Sequence, residues 1–305
     1  MCDTRGRHAC IAIALIGFLN SGSHLCAQDA LDVYSVEVTA SALDEGPGTL
    51  RQERAVGPYG QPEWTLQRSF STSRVYVRPA GSVEFVQYWT PKFEDGKSEH
   101  SFREEIEIGL PYRFQLDLYQ NWSVDDAGDS LYGGTSVELR YALANWGKIP
   151  LNPTLYGEWN FNNDAADVWE LKLLLGETFA HRWNWAANVV FEQENGDSRE
   201  TEVSLSSSLS YAVVDRTFNV GVEMLAERKA ESGSRSDAQV ELLIGPSINV
   251  RPTRHTFVTV APMFGATEDS PDVEMFVVAG LEFKFGGPRD ESEEGPRPPA
   301  SMFGR

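Results

Sequence analysis

One pair of carboxylates with strand spacing is the Glu-x-Glu at Glu105 and Glu107, inside "FREEIEIGLPYRFQLDLYQ". In an extended chain, side chains two apart share a face, so these acids stand side by side as a general acid and base would. A nucleophilic site would need Ser, His and an acid gathered on one wall. The pairs on offer are His100 with Ser101 and His255 with Ser247, and nothing in their spacing marks either. His100, His181 and His255 also lack metal-ligand spacing. The three cysteines, Cys2, Cys10 and Cys26, all lie within residues 1–27, so the chain beyond them offers no thiolate. The reading is non-enzymatic, with no cofactor and no metal. Glu-x-Glu is instead one instance of a wider pattern, in which charges recur on one face of many extended segments.

Those segments must do the positioning. In "HRWNWAANVVFEQENGD" the apolar residues Trp183, Trp185, Ala187, Val189 and Phe191 alternate with mostly polar ones. Period-two alternation is the mark of a half-buried strand. About twelve such segments follow one another over 82–285 with no helical pattern between them. Dividing the span evenly leaves ~10 residues per strand plus a short turn, the length a tilted strand needs to cross a bilayer. The expected fold is all-β, an up-and-down antiparallel transmembrane β-barrel of about 12 strands. A β-sandwich with the same faces in its core is the competing fold. Closure into a barrel favours the first, because it removes the edges a dozen open strands would leave.

On that reading the polar face lines a lumen. Its members are Arg103, Glu105, Glu107, Asp117, Glu138, Arg140, Glu158, Glu170, Lys172, Glu202, Glu223, Glu241, Glu282 and Lys284. Acids dominate this set, which predicts a narrow acidic interior that raises the local cation concentration. The opposite face meets lipid, with Trp122, Trp159, Phe161, Trp169, Trp183, Trp185, Phe191, Tyr211, Phe283 and Phe285 as interfacial girdles. Connections alternate in chemistry as well. One set is acidic ("SVDDAGDSLYGG", "TEDSPD") and the other is less acidic and often basic ("ANWGKIP", "NVRPTRHT"), as two compartments would require.

The ends read differently. Residues 1–27 carry Arg5 and Arg7, then "ACIAIALIGFL" and a small residue at Ala27, the layout of a secretory signal peptide. Residues 28–81, rich in Gly, Pro and charge, form a periplasmic extension, of which 44–81 could fold into the barrel mouth as a stopper. Residues 286–305 are charged and Pro-rich, the composition of a disordered tail. A formal charge of −19 makes nucleic-acid binding a poor fit.

Two stretches suggest partners beyond outer-membrane lipid. "VVAGLEFKF" ends in alternating Leu281, Phe283 and Phe285, and resembles the signal by which barrel-assembly machinery recognises its clients. "YSVEVTASAL", with Val36, Glu37, Val38, Thr39 and Ala40, resembles the box through which TonB-dependent transporters contact their periplasmic partner; such a segment would add as an edge strand. Finally, Glu107, Gly109, Leu110, Arg113, Gln115 and Leu116 resemble the start of the MetA-pathway of phenol degradation family of small outer-membrane barrels. That resemblance implies a membrane channel and carries over no catalytic residue. The expectation is an outer-membrane channel for passive passage of small or apolar solutes. The alternatives are a closed structural or assembly barrel, a barrel lipid hydrolase, and a secreted glycan-binding sandwich.

Overall fold

The computed structural model describes residues 50–163, 165–196, 199–230 and 238–284. Two short bridges, β1 (Ala55–Val56) and β2 (Gln61–Pro62), pair with each other ahead of the main sheet. Twelve antiparallel strands then close into one barrel. They are β3 (Ser82–Glu94), β4 (Lys97–Leu110), β5 (Phe114–Val124), β6 (Ser130–Ala142), β7 (Thr154–Asn162) and β8 (Val168–Ala180), then β9 (Trp183–Glu194), β10 (Thr201–Val214), β11 (Phe218–Ala230), β12 (Gln239–Val250), β13 (Thr256–Gly265) and β14 (Val273–Lys284). Each strand pairs with its sequence neighbours, and β14 closes the ring on β3, with Lys284 opposite Ser82. An even number of strands leaves both ends of the barrel at one mouth, here called the near mouth.

The alternation read from the sequence sets which face each side chain takes. In β9, Asn184 and Asn188 are buried inward while Trp183, Val189 and Phe191 are exposed outward. In β10, Ser204, Ser206, Ser208 and Ser210 are buried inward and Val203 and Leu205 are exposed. The same inversion runs round the ring: Ile106, Leu118, Leu139, Leu155, Leu171, Val222, Ile244 and Leu281 stand outside and are 39–55 % exposed. Thus the polar residues are the buried ones and the apolar residues meet the surroundings. Water would penalise that surface at about 25 cal/mol per Å², whereas hydrocarbon does not. A closed ring also satisfies every ladder hydrogen bond internally, which a bilayer demands. No helix among the described residues is long and apolar enough to cross a membrane; the crossing elements are strands. A β-sandwich, with paired apolar inner faces, is not what forms.

Local chemistry suits this path. The β3–β4 hairpin turns on Asp95 and Gly96, both at positive φ (50° and 75°), the backbone that tight hairpins favour.

Candidate functional site

Residues 50–81 cover the near mouth, where Arg51, Arg54, Gly57 and Gly60 are exposed, and run through the near half of the barrel, where Trp64, Phe70 and Tyr76 are buried. At the near mouth the segment is fastened to the turns. The Arg51 and Gln52 backbone N–H groups donate to Asp215 at 2.9 and 3.1 Å. His181 Nδ1 lies 3.0 Å from Glu53, and Arg216 pairs with Glu63. The Tyr59 hydroxyl donates to the Leu110 carbonyl at 3.1 Å and accepts from the Arg113 N–H at 2.9 Å. Trp64, only 1 % exposed, donates its indole N–H to Thr178 Oγ1 at 2.8 Å and meets Phe70 and Trp146 edge-on. Val75, Tyr76 and Val77 join this cluster against Ala142 and Ala186 of the wall.

Deeper in, the contacts become ionic. Arg68 reaches Glu84 and Glu105 at 3.2 Å each and pairs also with Glu107. Arg78 reaches Glu84 at 2.9 Å, Glu107 at 3.4 Å and Glu282 at 3.2 Å. Glu223 receives the backbone N–H groups of Ser71 and Thr72 at 3.0 and 2.9 Å. Ser73 Oγ lies 2.9 Å from both Ser206 and Ser208. Asn188 makes a two-way amide pair with the Arg74 backbone, 2.7 Å in each direction. Burial works against the Arg68 charge, but Glu107, with Tyr88, Glu105 and Glu84 behind it, more than compensates, and its pKa stands well above the usual arginine range. Burial pushes the Tyr76 hydroxyl up to about 12, so it stays protonated and donates to the Ala144 carbonyl.

Beyond Arg74 the lumen opens into a vestibule of about 630 Å³ that leads towards the far mouth. Its charges are sorted. Arg74 on the inserted segment, Arg103 on β4, Arg140 on β6 and Lys172 on β8 supply the cations; Glu192, Glu202, Glu227 and Glu274, on β9, β10, β11 and β14, supply most of the carboxylates. Tyrosine rings back the cationic arc: Arg74 over Tyr88, Arg103 over Tyr119, and Lys172 and Arg140 over Tyr156.

Each residue singled out from the sequence can now be placed. Glu105, Glu107, Asp117, Glu138, Arg140, Glu158, Glu170, Glu223, Glu241 and Glu282 are buried inside the barrel. Arg103, Lys172 and Glu202 are half-buried and line the vestibule. Lys284 ends β14 opposite Ser82. Trp122, Trp159, Phe161, Trp183, Phe191 and Phe283 are exposed on the outer face, where half-buried Trp169, Trp185 and Tyr211 pack with them or with each other's neighbours. Phe285, Val36, Glu37, Val38, Thr39 and Ala40 lie outside the described residues, as do the leader and the tail.

Glu105, Asp117 and Glu138 can bring one oxygen each within 4.8 Å of one another. The Arg140 guanidinium occupies that neighbourhood, 3.0 Å from Asp117 and 3.8 Å from Glu105, and also bonds Glu138. An arginine thus takes the place a metal cation would. The serine–histidine pairs do not assemble: His100 sits with Trp89 and Phe93, and Ser247 is buried while His255 is an exposed turn residue.

The acid-dominated ring read from the strands was incomplete. Arg68, Arg74 and Arg78 come from the inserted segment and meet its acids from within. Their clue is "RSFSTSRVYVR", three arginines with no acid among them, set directly before the first barrel strand of a chain whose net charge is −19.

Closed ring, apolar belt and polar interior together define a transmembrane β-barrel of the outer-membrane kind. No family model and no curated protein matches the chain. Among solved structures it is similar to the COG4313 outer membrane channel from Pseudomonas putida F1, at 12% identity and a TM-score of 0.48 over 68% of this chain and 97% of that one. It is also similar to the NanC porin (11% identity, TM-score 0.46, 67% of this chain and 100% of that one) and the KdgM porin (11%, 0.44, 67% and 99%). Likeness at that level says nothing about cargo, which has to be read from the chain's own lumen.

Proposed function

We propose that this protein is an outer-membrane channel for passive passage of small solutes, held shut at rest by its own residues 50–81. One observation carries the reading. The polar lumen is open from the far mouth to Arg74 and is filled from there by a peptide held through ion pairs and hydrogen bonds. Charges returned to water recover their hydration, which offsets part of the cost of breaking these contacts when the segment moves. Serine, asparagine, tyrosine and charged groups line the vestibule, so polar solutes fit it better than apolar ones. The acids near Arg68 and Arg78 are matched by those arginines while the segment is in place, so the acidic character read from the strands belongs to the near half of the lumen and emerges there only when the segment leaves.

Two finer parts of the reading extend it. β14 serves as the strand that assembly machinery recognises, and residues 36–40 offer a TonB-like periplasmic partner a handle on the inserted segment. The apolar cluster around Trp64 supports a second reading, a permanently closed structural barrel.

A tether separates the two. Ser73 and Ser206 have their hydroxyls 2.9 Å apart, one on the stopper and one on the wall, and no cysteine follows Cys26. The double variant Ser73→Cys/Ser206→Cys is expected to be silent in planar bilayers when oxidised and to regain wild-type openings on adding a reductant. Equal conductance in both redox states would show that passage does not require the segment to move. Silence of the wild type under every voltage tried, and of a chain lacking 50–81, would favour the closed barrel.

A further inference from the structure

We infer that the vestibule holds a binding site for a small hydroxylated organic anion, centred on Arg103. The site deepens the channel reading by naming a class of solute, and it rests on the unusual state of one guanidinium. Most lumen arginines are consumed by acids: Arg140 has Asp117 at 3.0 Å, and Arg68 and Arg78 each meet three carboxylates. Arg103 differs. Among the described residues, no carboxylate oxygen lies within ion-pairing distance of it, and its one side-chain hydrogen bond runs from Nε to Asn121 Oδ1 at 2.9 Å. That bond fixes the plane of the fork. The Tyr119 ring, 5.0 Å from the guanidinium carbon, supports it from one side.

Both terminal amino groups are therefore left for a ligand, on a residue that lines the cavity. Glu158 favours the Arg103 charge from beyond ion-pairing distance, with one of its oxygens bonded by the Tyr156 hydroxyl and the other without a hydrogen bond, so it leaves the fork's terminal N–H groups unbonded. A rigid fork with two free N–H edges matches a carboxylate better than a point charge does. The same vestibule is lined by Ser101 and Asn160 and, on the opposite wall, by Ser204, groups that both donate and accept, as hydroxyls on a solute require. A volume of about 630 Å³ falls in the range that accommodates such a molecule. Glu202 and Glu274 on the other arc disfavour a second negative charge on the ligand's far end. The geometry thus points to a monoanion with a neutral, hydroxyl-bearing remainder.

Gluconate, glucose and N-methylglucamine share a polyhydroxylated six-carbon skeleton and differ in charge, which makes them suitable probes. Calorimetric titration of the detergent-folded protein needs no conduction, so its failure is distinct from failure of the channel reading. Gluconate is expected to bind and the neutral and cationic probes are not. Arg103→Gln is expected to weaken gluconate by roughly tenfold or more, and Arg103→Lys by less, since the charge remains and the fork does not. Asn121→Ala, which frees the fork without removing it, is expected to weaken binding as well and serves if Arg103→Gln does not fold. Absence of gluconate binding to the folded wild type overturns the proposal. So does binding that glucose or N-methylglucamine equals, or binding that neither the Arg103→Gln nor the Asn121→Ala variant weakens.

Discussion

Arg78 joins acids from three strands, Glu84 of β3, Glu107 of β4 and Glu282 of β14, with its side chain only 4 % exposed. Removing one member of a buried ionic group costs about 3–5 kcal/mol, because it strands the others without a counter-charge. Arg78→Met should therefore loosen the stopper far more than the loss of one contact would suggest. The expected outcome is more frequent opening in planar bilayers, with the barrel still showing a heat-shifted gel band. A folded variant as quiet as the wild type would mean that the remaining contacts, those of Arg68 and Glu223 and the apolar cluster at Trp64, hold the segment without Arg78. Glu107 and Glu282 of this group were legible in the sequence, because period-two alternation assigns each to the inner face; Glu84, at the start of β3, was not among the residues singled out. Their partners were not. Arg68 takes a positive φ of 51° and the segment around it has no regular period, so no pattern tells which way its side chains point.

The strands are shaped for the segment as well as for lipid. Gly109, on the inner face of β4, faces the backbone of the stopper where it leaves the lumen. A Cβ added there would lie 2.0 Å from the Pro79 carbonyl oxygen, a distance that only movement of the backbone could relieve. Gly157 on β7 faces outward, and a Cβ there would meet only a Leu171 methyl at 3.7 Å. Gly109→Leu is expected to expel the exit of the segment and raise conductance, while Gly157→Ala should leave both conductance and stability as they were, within about 0.5 kcal/mol. Bilayer recording with a denaturant titration of each variant checks both. The motif on which the family resemblance rests gains a physical meaning here. Glu107 pairs with both deep arginines, Gly109 makes room for Pro79, the Leu110 carbonyl and the Arg113 N–H hold Tyr59, and Gln115 accepts the Arg78 N–H at 2.7 Å. Leu116 is the member that does not touch the segment through these bonds; it lies on the outward register. What could be read as a strand–turn–strand unit was therefore a docking platform. The sequence suggested a stopper from residues 44–81 but not which wall residues meet it, because hydrogen bonds to and from backbone atoms leave no mark on residue type.

Across the whole molecule, the segment that occupies the near half of the lumen comes before the wall that surrounds it in the chain, and the wall closes between its first strand and its last. Arg78 lies across that seam, binding Glu84 on one edge and Glu282 on the other. The same residue that helps seal the passage can thus act as a guide in assembly, a charged post against which the two free edges find each other. On this view an empty cylinder is not a stage that the chain passes through, because the ring is drawn shut around a filling already present. Glu282→Gln should then slow the appearance of the heat-resistant band when the denatured chain is refolded into lipid vesicles, with little change in the fraction folded at the end. Glu223→Gln, which weakens a hold on the stopper far from the seam, should not slow it. If both variants refold at the wild-type rate, the seam closes without that help.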